Sequence, residues 1–181
     1  MQLSRFFISL FAAALFSISP IIHADSSAEI NIGVKESLKR FKAEIPGGAD
    51  FLSQAKGVLV FPSVIKAGFG IGGEYGEGAL QVSGKTIAYY STAAASIGLQ
   101  LGAQTKSIVV IFMTSDSLKN FRKSEGWKAG VDGSIALVEW GAAEDINTVD
   151  IKDPIVGFVF SNKGLMYNLT FEGSKFTKIN K

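Results

Sequence analysis

Between Lys66 and Thr86 the chain reads KAGFGIGGEYGEGALQVSGKT, seven glycines in 21 residues. Each glycine inside a helix costs about 1 kcal/mol relative to alanine, so no helix spans this stretch. Extended backbone suits it better, and Ala67, Phe69, Ile71, Gly73 and Tyr75 then share one face of a strand. Glycine in a strand lets another backbone or a bulky side chain come close, and it permits bending where a barrel turns a corner. All 20 glycines lie beyond residue 24, well above the average usage of about 7%. The chain therefore reads as a bent β-protein.

The same stretch carries two partial phosphate-loop patterns, and both fail on context. Gly68, Gly70 and Gly73 spell G-x-G-x-x-G, but a dinucleotide site needs a helix to begin there and present its amide N–H groups to pyrophosphate. The following EYGEGAL holds two more glycines and is a poor helix opening. Gly84-Lys85-Thr86 lacks the glycine five residues earlier that a P-loop requires, since that position is Ala79. VSGKT, lying between two strand runs, reads as a hairpin turn with an exposed lysine.

Further apolar runs, GVLVFP, TIAYYS, SIGLQLGAQ, SIVVIFM, GSIALVEW, PIVGFVFS and GLMYNLTFEG, are short, β-branched and aromatic. GVLVFP is a buried strand closed by Pro62. In the last run Leu165, Tyr167, Leu169 and Phe171 alternate with Met166, Asn168 and Thr170, and turns at 162–164 and 173–174 predict a three-strand meander ending in KFTKIN. Two helices frame these strands. In AEINIGVKESLKRFKAEIPGG the residues Ile30, Val34, Leu38, Phe41 and Ile45 recur every three or four positions until Pro46-Gly47-Gly48 stops the pattern. SDSLKNFRKSEG predicts a shorter helix with Ser115 as its cap, Leu118 and Phe121 inward and Gly126 at its end. The expected fold is mainly β (α+β): an antiparallel, strongly curved sheet or barrel with an N-terminal amphipathic helix and one short internal helix.

Residues 1–24 read as a signal peptide, with Arg5, an apolar stretch from Phe6 to Ile18, Pro20 and a small residue at Ala24 before the cut. Removing them leaves 157 residues, about one domain, at 25–181. The chain has no cysteine, and its single histidine, His23, falls in the leader. The remainder lacks the commonest general base, thiolate nucleophile and nitrogen or sulfur zinc ligands, which argues against an enzyme, a metal site or a cofactor. Loss of Arg5 lowers the formal charge from +2 to +1, too little for the broad positive field of a nucleic-acid binder. Asp132, Glu139, Asp145, Asp150 and Asp153 have no spacing that pairs two on one surface, and GAAEDINTVDIKDP reads as an acidic loop.

Four ordered blocks carry a resemblance. KGVLVFPSVIKAGFGIGGEYGEGAL, YYSTAAASIGLQLGAQ, GVDGSIALVEWGA and PIVGFVFSNKGLMYNLTFEGSKFTKI look like the successive signature blocks of the SYLF domain family. The resemblance implies a lipid-binding module: eukaryotic members recognise phosphoinositides and other anionic lipids, some yeast members regulate actin patches, and bacterial members are exported or lipid-anchored. With a leader and no cysteine to acylate, a periplasmic or secreted protein is implied, and actin regulation is not. In the family, lipid contact is attributed to a basic amphipathic segment at the start of the domain, and the helix with Lys35, Lys39, Arg40 and Lys42 is the matching region. Ile30, Val34, Leu38 and Phe41 would either face the membrane or pack on the sheet, and Lys56 and Lys66 in the first block are further candidate phosphate contacts. The expected partner is anionic phospholipid or a membrane surface, with protein partners undetermined. Two other readings stay open. One is a soluble carrier whose sheet encloses a small apolar ligand lined by Phe69, Tyr75, Tyr89, Tyr90 and Trp127; the other is a structural or partner-binding envelope protein.

Overall fold

The computed structural model describes residues 25–139, 153–161 and 173–181. Helix α1 (Ser27–Glu44) and the one-turn-longer-than-minimal α2 (Gly48–Gln54) precede two very long strands, β1 (Gly57–Val82) and β2 (Lys85–Phe112). Then follow α3 (Ser115–Lys123), β3 (Trp127–Lys128), β4 (Ala136–Glu139), β5 (Ile155–Ser161) and β6 (Lys175–Ile179). The described strands form one curled sheet in the order β3-β6-β2-β5-β4, with β1 paired to β2 off that path. Among the described strands every pairing is antiparallel except β4 with β5, and an isolated parallel bridge joins Ala129 to Gly133.

β1 and β2 form a single hairpin ribbon, paired from Gly57 opposite Phe112 to Val82 opposite Lys85, with register shifts at Phe61/Val64, Phe69/Gly70 and Leu80/Gln81. Its turn is Ser83-Gly84, with φ of 50° and 74°; two successive positive φ values match the twist of the flanking strands. The G-x-G-x-x-G residues thus lie inside a strand. Five of the runs read separately in the sequence join into two strands here: GVLVFP with the glycine-rich run in β1, and TIAYYS, SIGLQLGAQ and SIVVIF in β2. Pro62 does not close its strand: it sits at a register shift between Phe61 and Val64, where a bulge needs no ladder donor from proline. Ser107 Oγ donates to the Pro62 carbonyl at 2.7 Å and ties the bulge down.

The ribbon bends back on itself. Lys66 and Glu74 would stand about 26 Å apart on a straight strand, yet their charged groups meet at 3.5 Å. Glycine makes the bend possible, because a Cβ at Gly76 would lie 2.7 Å from the Ser63 carbonyl oxygen and one at Gly78 would overlap that of Val60.

Both faces of the ribbon's root are covered. On one side Val60, Ala79, Val109 and Ile111 of the ribbon, with Phe158 and Phe160 of β5, bury against Ile30, Val34, Phe41 and Phe51 of the first two helices and Ile45 between them. On the other, Leu59, Phe61, Val64, Ile108, Val110 and Phe112 bury against Leu118, Phe121, Trp127 and Phe176. Two-sided burial explains why the runs VLVF, IVVIF and IVGFVF are continuously apolar. α1 starts with a capping box, in which the Ser26 hydroxyl accepts from the Glu29 amide and Glu29 accepts from the Ser26 amide. α2 was not expected. Gly47, at φ 70°, turns the chain after Pro46 and lets Phe51 pack edge-on against Phe158 at 5.2 Å. α3 is capped by Thr114, one residue before the predicted Ser115. Turn residue Gly173 has φ 84° and leads into β6 as expected. The middle strand of the predicted meander and most of the acidic loop lie outside the described residues.

Candidate functional site

The predicted cations on α1 lie on its outer side. Lys35, Lys39 and Lys42 are exposed, while Arg40 pairs with Glu44 at 3.1 Å and lies over the Phe160 ring at 5.2 Å. With Glu29, Glu36 and Glu44 on the same helix, four cations against three carboxylates leave a formal +1. The apolar stripe packs on the sheet: Ile30, Val34 and Phe41 are buried, and Leu38 is partly buried beside Ser37. Asn31 Nδ2 donates to the Tyr89 hydroxyl and its Oδ1 accepts from Thr86 Oγ1, both at 2.8 Å, so the helix is also hydrogen-bonded to β2.

A denser basic surface forms between α3 and the turn end of the ribbon. Lys56, Lys119, Arg122, Lys123 and Lys178 line a groove of about 540 Å³ together with Val82, Ile87, Ala88, Tyr90, Ser115 and Leu118. No carboxylate lines it. Its construction follows from the sequence of α3. Thr114 Oγ1 accepts from the Ser117 amide at 3.2 Å, and Ser117 Oγ donates to the Pro154 carbonyl at 2.9 Å, which anchors the first turn beside β5. Leu118 and Phe121 then bury, leaving Lys119, Arg122 and Lys123 exposed at spacings of three and four along the helix. Lys178 enters from β6, opposite Tyr90 in the ladder.

The apolar floor also has a local cause. Leu80 pairs with Ala88 and Gln81 with Thr86, so Ile87 is the extra residue of a bulge. A bulge re-aims a side chain, and Ile87 stands 42% exposed at the groove. Below it, burial raises the Tyr90 phenol above its ordinary pKa while the adjacent Arg122 charge pulls the other way. The groove thus presents positive charge beside exposed hydrocarbon, with a phenol at its base. That combination accommodates an anion carrying an apolar portion.

Of these five cations the sequence reading singles out only Lys56. Lys119, Arg122 and Lys123 were legible as a basic helix face, but Lys178 comes from the far end of the chain and no spacing points to it. Lys66 is elsewhere, in a partly buried triad where Glu74 pairs with it at 3.5 Å and with Lys106 at 2.5 Å. Of the four described aromatics of the carrier reading, only Tyr90 and Trp127 come together, both against Phe121 in the filled core. Tyr90 packs on Phe121, Trp127 stacks on Phe176 at 5.7 Å and 5°, Tyr89 turns to α1, and Tyr75 is 37% exposed. The side chain of Phe69 lies outside the described residues. Among the described residues no three acidic or histidine side chains gather as a metal site, and no helix is long and apolar enough to cross a membrane.

A family model, Ysc84, described as "Las17-binding protein actin regulator", matches residues 93–181. This is the SYLF family to which the four blocks point. The matched stretch opens in the middle of β2, whose ladder partner throughout is β1, so the folded unit reaches beyond it. No curated protein matches the chain.

Proposed function

We propose, from the premise that this chain is of the Ysc84 (SYLF) family, that it is an exported, non-enzymatic module that contacts anionic phospholipid at the cell envelope. The family is one of lipid- or actin-related modules and is not a known enzyme family. The observation that carries the lipid reading is the groove of five cations with an apolar floor and no carboxylate. Its volume falls within the roughly 300–1,000 Å³ of small-ligand sites, enough for a headgroup phosphate and the first methylenes behind it.

Headgroup phosphates would lie among Lys119, Arg122, Lys123, Lys56 and Lys178, each cation near an anionic surface contributing about 1 kcal/mol. Ile87 and Val82 offer the adjoining hydrocarbon its contact. The exposed Lys35, Lys39 and Lys42 of α1 add a second, weaker electrostatic surface. In this arrangement Ile30, Val34 and Phe41 keep the sheet together, and membrane contact does not require them to leave it.

Vesicle co-sedimentation tests the reading. The Lys119→Gln/Arg122→Gln/Lys123→Gln variant removes about 3 kcal/mol, which corresponds to a loss of roughly 100-fold in partitioning onto anionic vesicles at low salt. Neutralising Lys35, Lys39 and Lys42 costs less. Equal binding of the native protein to neutral and anionic vesicles, or undiminished binding by the groove variant, refutes the assignment.

A further inference from the structure

Glu77 is a carboxylate on β1, 7% exposed, that holds partners from both ends of the described chain. Tyr75 Oη donates to its Oε1 at 2.8 Å, and Lys181 Nζ donates to its Oε2 at 2.6 Å. The backbone nitrogen of Asp25 donates to the same Oε2 at 3.1 Å, and Lys181 Nζ closes the ring on the Asp25 carbonyl oxygen at 2.7 Å. Asp25 is the residue that follows the expected leader cut.

We propose that this cluster is a receptor for the α-ammonium group created when the leader is removed, so that processing locks the fold. The inference rests on the reading that the leader is cut after Ala24. Hydrolysis of the Ala24–Asp25 amide by an export peptidase consumes one water and breaks the C–N bond. Ala24 departs with a carboxylate, and the nitrogen remains on Asp25 as an ammonium group.

That nitrogen already sits within hydrogen-bond distance of Glu77, so the new charge forms in place and no element has to move. Before the cut, an amide offers one neutral N–H to a buried carboxylate. Afterwards, an ammonium offers three donors and a full opposite charge, and charge-assisted hydrogen bonds are roughly twice as strong as neutral ones. Glu77 is buried, which limits the screening of its charge, while Asp25 stands at the exposed edge of the cluster. Lys181 alone does not saturate the site, because Glu77 has two oxygens and a carboxylate accepts about four hydrogen bonds. The consequence is order in time: the latch between α1, β1 and the segment ending in Lys181 reaches full strength only once the leader is gone.

The test compares a chain beginning at Asp25 with a free ammonium group against the same chain acetylated at that nitrogen. Every described residue lies within 25–181, so both retain the whole described fold. Acetylation restores the neutral amide of the unprocessed chain at the same position and leaves every side chain intact. The free form should melt about 2–4 °C above the acetylated one, a fivefold gain in the folding equilibrium, and Glu77→Gln should abolish the difference. Equal melting of the free and acetylated forms overturns the latch, whether or not Glu77→Gln folds. N-terminal sequencing of the exported protein tests the premise separately, since a first residue other than Asp25 overturns the processing step.

Discussion

Replacing Gly78 by alanine should destabilise the protein severely, while the same substitution at Gly73, on the same strand, should do the opposite. A Cβ at Gly78 would overlap the Val60 carbonyl oxygen and lie 2.7 Å from the Phe61 ring and 2.8 Å from the Val60 carbonyl carbon. None of these can retreat. Val60 and Phe61 are fully buried, and Phe61 stacks on Phe176 at 5.3 Å. Overpacking that must move backbone costs about 3 kcal/mol, the upper end of the usual range. Reduced freedom of the unfolded chain offsets about 0.4–1 kcal/mol of that. A net loss of about 2–3 kcal/mol lowers Tm by roughly 5–10 °C for a domain of this size. At Gly73 the nearest atom to a new Cβ is the Ala94 oxygen at 3.7 Å, ordinary contact. Only the unfolded-chain term remains there, so Gly73→Ala should raise stability by about 0.5 kcal/mol. Urea unfolding measures both, provided the denaturant slope is unchanged. Equal effects of the two substitutions, or a Gly78→Ala protein as stable as the native one, would refute the claim that glycine is needed for close approach in the bend.

The Tyr75 phenol, pushed up to about 12 by burial and by its hydrogen bond to Glu77, should be separable from other tyrosines in an alkaline absorbance titration read against Tyr75→Phe. Because the folded state holds that proton more tightly than the ordinary value of about 10, the stabilisation is complete below pH 10 and disappears between about 10 and 12; a Tyr75 that titrates near 10 contradicts the contact. Lys106→Met leaves Glu74, largely buried, with Lys66 as its remaining ion-pair partner, and should cost about 2–4 kcal/mol by thermal or urea unfolding. The double variant Glu74→Gln/Lys106→Met should lose less than the sum of the single losses, and strict additivity would deny the pair. Thr114→Ala removes the α3 cap and should cost about 1 kcal/mol; vesicle binding should also fall, because α3 carries three of the groove's cations, and unchanged binding would show that the groove does not depend on the cap.

Local chemistry was readable in the sequence wherever one segment decides its own conformation. The stripe of α1 and its stop at Pro46, the Ser83-Gly84 turn, and the inward Leu118 and Phe121 are all products of spacing and capping. Strand continuity was not readable across Pro62, because whether a proline ends a strand or sits in a bulge depends on the partner strand opposite it. The short α2 was hidden for a similar reason: GADFLSQ has little helical periodicity of its own, and its place is fixed by Phe51 packing on Phe158. The candidate site was divided in the same way. Lys56 was visible in the first block, whereas Lys178 joins the groove only because β6 pairs with β2 across the curl.

The sequence by itself determined that this chain makes a glycine-bent sheet with few reactive groups, since backbone entropy, side-chain period and residue inventory are properties of neighbours along the chain. Only the tertiary structure decided where charge accumulates. Lys66 and Glu74, or Asp25, Glu77 and Lys181, become partners through the bending and closure of a long ribbon, and electrostatic energy depends on distance through space, which sequence separation does not record.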